Sequence, residues 1–183
     1  KITDISRTES IFTKTSKYSG YGSFYQPRYE WYTDISKSSD DILMAMHQKT
    51  RYSVRLAEKK GVTTETISGG SANTQLLTFM KIMRETAKRN NFALHDDDYY
   101  RYFFDEVARR GNGFLVLARH GEDVLAMHMV VIAGSVAHYV FGATSDKKKE
   151  LCAPYLAHFE GMLEAKENKV KIHAHSWNFV RIY

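Results

Sequence analysis

Residues 124–145 constrain the fold most, because 22 consecutive positions pass without an Asp, Glu, Lys or Arg. A stretch of that length could cross a bilayer as a helix. However, Gly134-Ser135 divides it into two runs rich in β-branched residues, VLAMHMVVIA and VAHYVFGA. Two strands joined by a tight turn account for this pattern better than a transmembrane helix does. The sequence therefore predicts a β-hairpin, and with it a sheet.

Helical periodicity predicts several helices around this hairpin. Ser38 followed three residues later by Asp41 forms a capping box that opens a long helix. Its apolar residues recur as far as Ala57, and Gly61 is placed to end it. Residues 62–74 are predicted to be a polar connection. Further helices are predicted at residues 75–89, 98–110 and about 148–168, and further strands at residues 29–35, 114–119 and 169–177. This order makes a mixed α/β (α+β) fold and matches the core of GNAT-type acyltransferases.

Composition limits the setting in which the chain works. Cys152 is the single cysteine of the 183 residues, which excludes an intrachain disulfide and a Cys-rich zinc site. A reducing, cytoplasmic location is therefore expected. The net charge of +5 allows a polyanionic partner without requiring one. The chain begins with Lys1 and no apolar leader follows it, so we expect a piece of a longer protein.

A basic stripe is the clearest charged feature of the long helix. Arg51, Arg55 and Lys59 follow one another at spacings of four residues, and Lys49 precedes them. Such a stripe is most often a solvated helix face. The alternative is a phosphate-binding surface, because the guanidinium group holds phosphate oxygens with two parallel hydrogen bonds.

Several ordered motifs resemble the Fem family of tRNA-dependent aminoacyltransferases, which build the interpeptide bridges of peptidoglycan. Asp34-Ile35-Ser36 is similar to the DLS-like triplet of that family, and residues 49–61, KTRYSVRLAEKKG, are similar to its TRY-x-x-R-x-A-x-KKG motif. Residues 86–92 resemble its T-x-x-R-x-x-F segment. The FGATS sequence at residues 141–145 and the APYL helix from residue 153 match as well. The resemblance covers residues 26–166, and the chain departs from the family pattern after Lys166.

This resemblance implies two GNAT-like domains, with residues 1–35 as a remnant of the first and residues 36–183 as an incomplete second. It implies transfer of an amino acid from aminoacyl-tRNA to a side-chain amine of a lipid- or nucleotide-linked peptidoglycan precursor. No cofactor besides the aminoacyl-tRNA co-substrate is expected. No integral membrane segment is expected either, although association with a membrane surface is compatible with a lipid-linked substrate.

The same resemblance suggests substrate-binding residues. Lys49, Arg51, Arg55 and Lys59 would hold the pyrophosphate of the precursor or the tRNA end. Hydroxyl groups near the FGATS sequence would come from Tyr139, Ser145 and Tyr155, each of which is more often a packing or capping residue. An aminoacyl ester is already activated, so its transfer requires positioning and oxyanion stabilisation rather than a covalent nucleophile. No pattern in the sequence identifies a general base.

Three other patterns are weaker. Arg110-Gly111-Asn112-Gly113 lacks the spacing of the loop that binds the CoA pyrophosphate, which disfavours a CoA-dependent N-acyltransferase of the same fold. His173 and His175 lie on one side of a predicted strand, but no third ligand is evident, so surface histidines are predicted and no metal. The aromatic run at residues 99–104 could stack bases in an RNA-binding module. Its helical spacing favours a core instead.

Overall fold

Six strands form one sheet in the computed structural model, which describes residues 30–176. The strands are β1 (Glu30–Asp34), β2 (Thr63–Ser68), β3 (Gly113–His120), β4 (Asp123–Ala133), β5 (Val136–Thr144) and β6 (Ile172–Ser176). The helices are α1 (Ser39–Ala45), α2 (Gln48–Lys59), α3 (Leu76–Asn90), α4 (Asp97–Arg110) and α5 (Ala153–Glu167), with short 3-10 segments at Gly69–Gln75 and Lys149–Leu151. The strand order is β1-β6-β5-β4-β3-β2. Only the β5–β6 pair is parallel.

The predicted hairpin is confirmed. β4 and β5 pair in antiparallel fashion up to Ala133 and Val136, so Gly134 and Ser135 form a two-residue turn. Gly134 has a φ of +61°, a conformation that glycine adopts without steric cost. Within residues 30–176, no helix is both long enough and apolar enough to cross a membrane.

The sheet has a hydrophobic core on each face, because adjacent residues of a strand point to opposite sides. On β3, Val116 belongs to the core under α1, α2 and α5, whereas Leu117 belongs to the core under α3 and α4. Both residues are fully buried. Burial on both sides explains why the hairpin and its neighbour read as nearly continuous apolar runs.

The prediction of one long helix up to Gly61 is wrong in one respect, because this segment forms two helices, α1 and α2. Met46 and His47 adopt extended backbone angles, and His47 Nδ1 accepts a hydrogen bond from the backbone N–H of Lys49 at the start of α2. Leu43, Met46 and Val54 are nevertheless all buried on the same side. The apolar spacing survives the break because both helices pack the same face against the sheet, so periodicity alone could not reveal it.

The polar connection predicted for residues 62–74 is also wrong, because residues 63–68 form β2. This strand pairs with β3 at the edge of the sheet, and most of its side chains are exposed. An edge strand exposed on both sides needs no apolar alternation, so the usual strand signal is missing. At the other end of the sheet, β1 pairs with β6 and so joins the same sheet as the rest of the described chain. The domain boundary predicted at residue 35 would assign β1 and the other strands of this sheet to different domains. Residues 1–29, which make up most of the predicted first-domain remnant, lie outside the described residues.

Gly113 offers a test of the packing between α4 and the sheet. A Cβ atom at this position would lie 2.7 Å from both the Val130 carbonyl oxygen and Val107 Cγ1. We expect Gly113→Ala to lower the free energy of unfolding by about 1–3 kcal/mol in urea denaturation. Gly161→Ala is the matched control, because its new Cβ would meet nothing closer than 3.6 Å. Equal stability of the two variants would contradict the tight α4–sheet contact.

Candidate active site

Within the part of the chain that the structure describes, β5 and β6 are paired over only a short part of their length. Within residues 30–176, β5 pairs with β6 only through Val136, Ala137 and His138, while β6 continues alongside β1. Beyond His138, the register of residues 30–176 pairs no further residue of β5 with β6. A strand edge beyond such a register presents hydrogen-bonding groups to a ligand.

A β-bulge lies where the register of β5 with β6 ends. Val130 pairs with Tyr139 and Met129 pairs with Phe141, so Val140 is an extra residue in β5. The bulge reverses which face the following residues point to. Tyr139 packs toward α5, with its ring 5.1 Å from that of His158, whereas Phe141 joins the core of α3 and α4, 4.9 Å from Phe103.

A cleft of about 220 Å³ lies along the part of β5 beyond its register with β6. Its walls come from the end of α3, the start of α5 and the central strands. The lining residues are Thr86, Arg89, Asn90, His128, Tyr139, Gly142, Thr144, Pro154 and Tyr155. The cleft is therefore bounded by the end of β5 on one side and by the N-terminal turn of α5 on the other.

Side chains of α3 hold the end of β5. Thr86 Oγ1 accepts a hydrogen bond from the Thr144 N–H at 2.8 Å and lies 2.9 Å from the Thr144 carbonyl oxygen. Arg89 donates to the same carbonyl at 3.2 Å and to Asp146 Oδ1 at 2.6 Å. Lys149, and then Arg89, lower the pKa of the Asp146 carboxyl group. These contacts fix the wall of the cleft and place a guanidinium group at its rim.

The floor of the cleft is polar but uncharged. Burial raises the pKa of the Tyr139 hydroxyl group and lowers the pKa of the His128 imidazole well below its usual value. The two rings meet edge to face with centroids 4.9 Å apart. The Tyr139 hydroxyl group lies over Gly142, where it would be 1.6 Å from an added Cβ atom, so only glycine fits there. This floor suits a neutral carbonyl group, which a hydroxyl group or a backbone N–H can polarise.

Two of the three predicted hydroxyl residues line this cleft. Tyr139 forms its floor and Tyr155 part of its α5 wall. Ser145 lies directly after the lining residue Thr144, and its hydroxyl group is used within the loop. It donates to Glu85 Oε2 at 3.2 Å and accepts from the Lys147 N–H at 3.2 Å.

The four predicted basic residues lie on α2, and none of them lines the cleft. Arg51 has a structural task, because its Nη1 donates to the Met44 and Met46 carbonyl oxygens at the end of α1, at 3.1 and 2.6 Å. Lys49, Arg55 and Lys59 are exposed. α2 packs against α5, whose first turn contributes to the cleft.

Seven of the nine lining residues were not predicted as site residues: Thr86, Arg89, Asn90, His128, Gly142, Thr144 and Pro154. The T-x-x-R spacing at residues 86–89 carried a signal, although only as part of a family motif. His128 carried none, because a histidine within a strand reads as an ordinary residue.

The prediction that His173 and His175 are surface histidines is wrong. Their side chains are buried at 0% and 1% exposure, because β6 lies between β1 and β5 and the His158 ring of α5 packs against both histidines. The structure also places His158 of α5 beside them. The aromatic run of α4 forms a core as predicted, with Tyr100 and Phe104 buried and Tyr102 exposed.

Comparison with known proteins is consistent with this geometry. The model of the FemAB family matches residues 12–119. A lipid II:glycine glycyltransferase of Staphylococcus aureus is 32% identical over 96 residues, which are 52% of this chain and 22% of that enzyme. The chain thus spans about a fifth of the length of this relative.

Solved structures share the fold. The crystal structure of FemX aligns with a TM-score of 0.74 and 20% identity over 81% of this chain and 52% of FemX. A predicted acetyltransferase of Clostridium acetobutylicum, solved with acetyl-CoA, aligns with a TM-score of 0.50 and 10% identity over 67% of this chain and 86% of that protein. The mixed α/β chain therefore has a GNAT-like acyltransferase fold, as predicted.

The α3–β5 contact can be tested at Thr86. Thr86→Val removes the hydroxyl group that accepts from the Thr144 N–H and lies 2.9 Å from the carbonyl oxygens of both Thr144 and Ile82. We expect it to lower the free energy of unfolding by about 1–3 kcal/mol. Thr86→Ser keeps the hydroxyl group and should cost about 1 kcal/mol or less. Chemical denaturation measures both. A serine variant as unstable as the valine variant would show that the methyl group, not the hydrogen bonding, matters.

Proposed function

Because the chain belongs to the FemAB family, we propose that it forms much of one acyl-transfer domain in a larger aminoacyltransferase of peptidoglycan synthesis. The domain would be the second of two GNAT-like domains. The donor is an aminoacyl-tRNA and the acceptor a side-chain amine of a lipid- or nucleotide-linked muropeptide. The observation that carries this proposal is the end of β5 beyond its register with β6, beside a small polar cleft, in a chain related to a lipid II:glycine glycyltransferase.

The proposed reaction needs little covalent chemistry from the protein. The amine nitrogen attacks the ester carbonyl carbon, an amide C–N bond forms and the ester C–O bond to the tRNA ribose breaks. The amine loses a proton and the leaving ribose hydroxyl group gains one. Negative charge develops on the carbonyl oxygen, so donors placed beforehand around that oxygen lower the barrier.

The cleft supplies groups suited to that task. The Tyr139 hydroxyl group and the backbone N–H groups of β5 beyond its register with β6 are the proposed donors to the carbonyl oxygen. The volume of about 220 Å³ suits a small aminoacyl ester, with the rest of the tRNA outside. Arg89 at the rim is paired with Asp146, so the basic contact for the phosphate-bearing part of a substrate is sought outside the cleft.

The basic face of α2 is the proposed contact for the longer polyanionic part of a substrate. Arg55, Lys59 and Lys49 are exposed, whereas several arginines elsewhere on the described chain form ion pairs with carboxylates. The packing of α2 on α5 places this face and the cleft on neighbouring elements. Exposed charge of this kind binds phosphates without being needed for folding.

A specific observation disfavours the CoA alternative. Gly111 is the left-handed C-cap of α4, with a φ of +61°, and Gly113 begins β3 under close contact with Val130. The glycines of this segment therefore serve a helix end and a packed strand rather than a pyrophosphate loop. An RNA-binding module would need a wider unpaired basic surface than α2 alone provides.

Substitution of the α2 face tests substrate binding. In the full-length enzyme, we expect Arg55→Ala with Lys59→Ala to weaken binding of a nucleotide-linked muropeptide or aminoacyl-tRNA by about tenfold or more, with an unchanged melting temperature. Titration at fixed low salt measures this. Arg101→Ala, which removes an exposed arginine on α4, is the control. Arg51→Ala should lower the melting temperature as well, because Arg51 caps α1. Wild-type affinity in the double variant would exclude the α2 face.

Substitution of Tyr139 tests the acyl site. Tyr139→Phe removes the hydroxyl group but keeps the ring, so we expect kcat for aminoacyl transfer to fall on the order of 100-fold with KM little changed. Tyr102→Phe, at a residue 59% exposed on α4, is the control. Unchanged kcat for Tyr139→Phe would remove this residue from the mechanism. Transfer from acetyl-CoA at a rate comparable to that from aminoacyl-tRNA would favour the CoA alternative.

A further inference from the structure

Three imidazole rings converge beneath α5, near the point where β5 and β6 diverge. His158 comes from α5, while His173 and His175 come from β6. Each residue contributes a ring nitrogen to a group in which all such atoms lie within 4.8 Å of one another. The three residues are 3%, 0% and 1% exposed, so the group is enclosed by protein.

His173 presents a problem of unsatisfied polarity. Both of its ring nitrogens are buried, and neither has a hydrogen-bond partner among residues 30–176. A neutral imidazole has one N–H donor and one lone pair, and leaving such groups buried and unsatisfied costs free energy. The side chains closest to it in the group are two further histidines, with ring centroids 4.6 Å away for His175 and 5.6 Å away for His158. Three neighbouring imidazoles cannot satisfy all of their ring nitrogens by hydrogen bonds among themselves. A bound species that uses their lone pairs accounts for the arrangement better than an empty group does.

The three imidazole side chains indicate which class of ion would bind there. All three side chains of the group are imidazoles, and burial disfavours the charged form of each and lowers its pKa. Neutral imidazoles keep their lone pairs and are favoured ligands of zinc and similar transition metals, whereas magnesium and calcium prefer oxygen.

We propose that His158, His173 and His175 bind one transition-metal ion of the zinc class. In a tetrahedral site with Zn–N bonds of about 2.0–2.1 Å, ligand nitrogens lie roughly 3.3 Å apart. The observed spread of 4.8 Å or less therefore requires the nitrogens to close by at most about 1.5 Å. Rotation of the rings about their side-chain bonds supplies movements of that size, and the two β6 rings are already inclined by only 36°.

A further contact orients one of the ligands. Thr33 Oγ1 of β1 lies 3.2 Å from His175 Nε2. When Nε2 carries the proton and donates to this oxygen, the lone pair stays on Nδ1, which is then available to the metal. Outer hydrogen bonds of this type fix the tautomer of metal-binding histidines.

The position of the site assigns the metal a structural role. Its ligands join α5 to β6, and Thr33 extends the connection to β1. The rings of Tyr139 and His128, which line the cleft, pack against His158 at 5.1 and 5.7 Å. These two rings stand between the cleft and His158. The ion would therefore stabilise the junction of the diverging strands rather than contact the substrate, and the inference does not depend on the proposed transferase activity.

Metal titration of the complete chain tests this inference. After dialysis against EDTA, we expect Zn²⁺ and Co²⁺ to bind with 1:1 stoichiometry at pH 7.5. Bound Co²⁺ should show the intense visible bands of tetrahedral coordination. Zinc at roughly 100 times its dissociation constant should raise the melting temperature by about 5–10 °C. Absence of saturable binding to the folded protein would overturn the proposal.

Variants locate the ion on these residues. His173→Asn and His158→Asn should each weaken zinc binding at least tenfold, whereas His95→Ala, at an exposed histidine, should not. Retained affinity in both asparagine variants would overturn the assignment. If a variant does not fold, X-ray absorption spectroscopy of the zinc-loaded wild type decides instead. Three imidazole nitrogens at about 2.0 Å support the site, and a shell of mainly oxygen ligands excludes it.

Discussion

The hydrogen bonding between α3 and the end of β5 is the constraint on which the site depends. A strand that leaves its neighbour must satisfy its backbone groups in another way, or rejoin the sheet. Thr86 engages both the N–H and the C=O of Thr144, and Arg89 adds a second donor to that carbonyl. The end of β5 is thereby held by a helix instead of by β6. This arrangement keeps the cleft open without leaving that end of the strand unsatisfied.

The bulge at Val140 determines what faces the cleft. The extra residue sends Tyr139 toward α5 and Phe141 into the opposite core, so a polar hydroxyl group lies in the cleft while a large apolar ring is buried. Gly142 then leaves space for the Tyr139 hydroxyl group. The same Tyr139 ring packs on His158, so the cleft and the histidine group beneath it share one boundary. Rigidity at the histidine group would therefore also hold the floor of the cleft.

The polar cleft and the exposed basic residues lie on different elements of the fold. Arg89 is the one charged residue that lines the cleft among the described residues, and it is paired with Asp146, while the exposed basic residues of α2 lie outside the cleft. α5 links the two, because it packs against α2 and its first turn lines the cleft. The proposed substrate has the same division, because its small reactive end would occupy the cleft and its long polyanionic part would contact the basic residues of α2.

The sequence by itself determined those features that depend on local spacing. The hairpin of β4 and β5, the helices α3 and α4, and the strand β6 all follow from periodicity and turn residues. The helix break at His47 does not follow from local spacing, because the spacing of buried residues continues across it. The edge strand β2 does not follow either, because few of its residues are buried. Only the tertiary structure determines where the cleft and the histidine group lie. His158, His173 and His175 converge only because β6 enters the sheet between β1 and β5 beneath α5, and Thr86 meets Thr144 across 58 residues. Strand order and the register shift at Val140 are set by the packing of the whole sheet, and no local pattern of residues contains them.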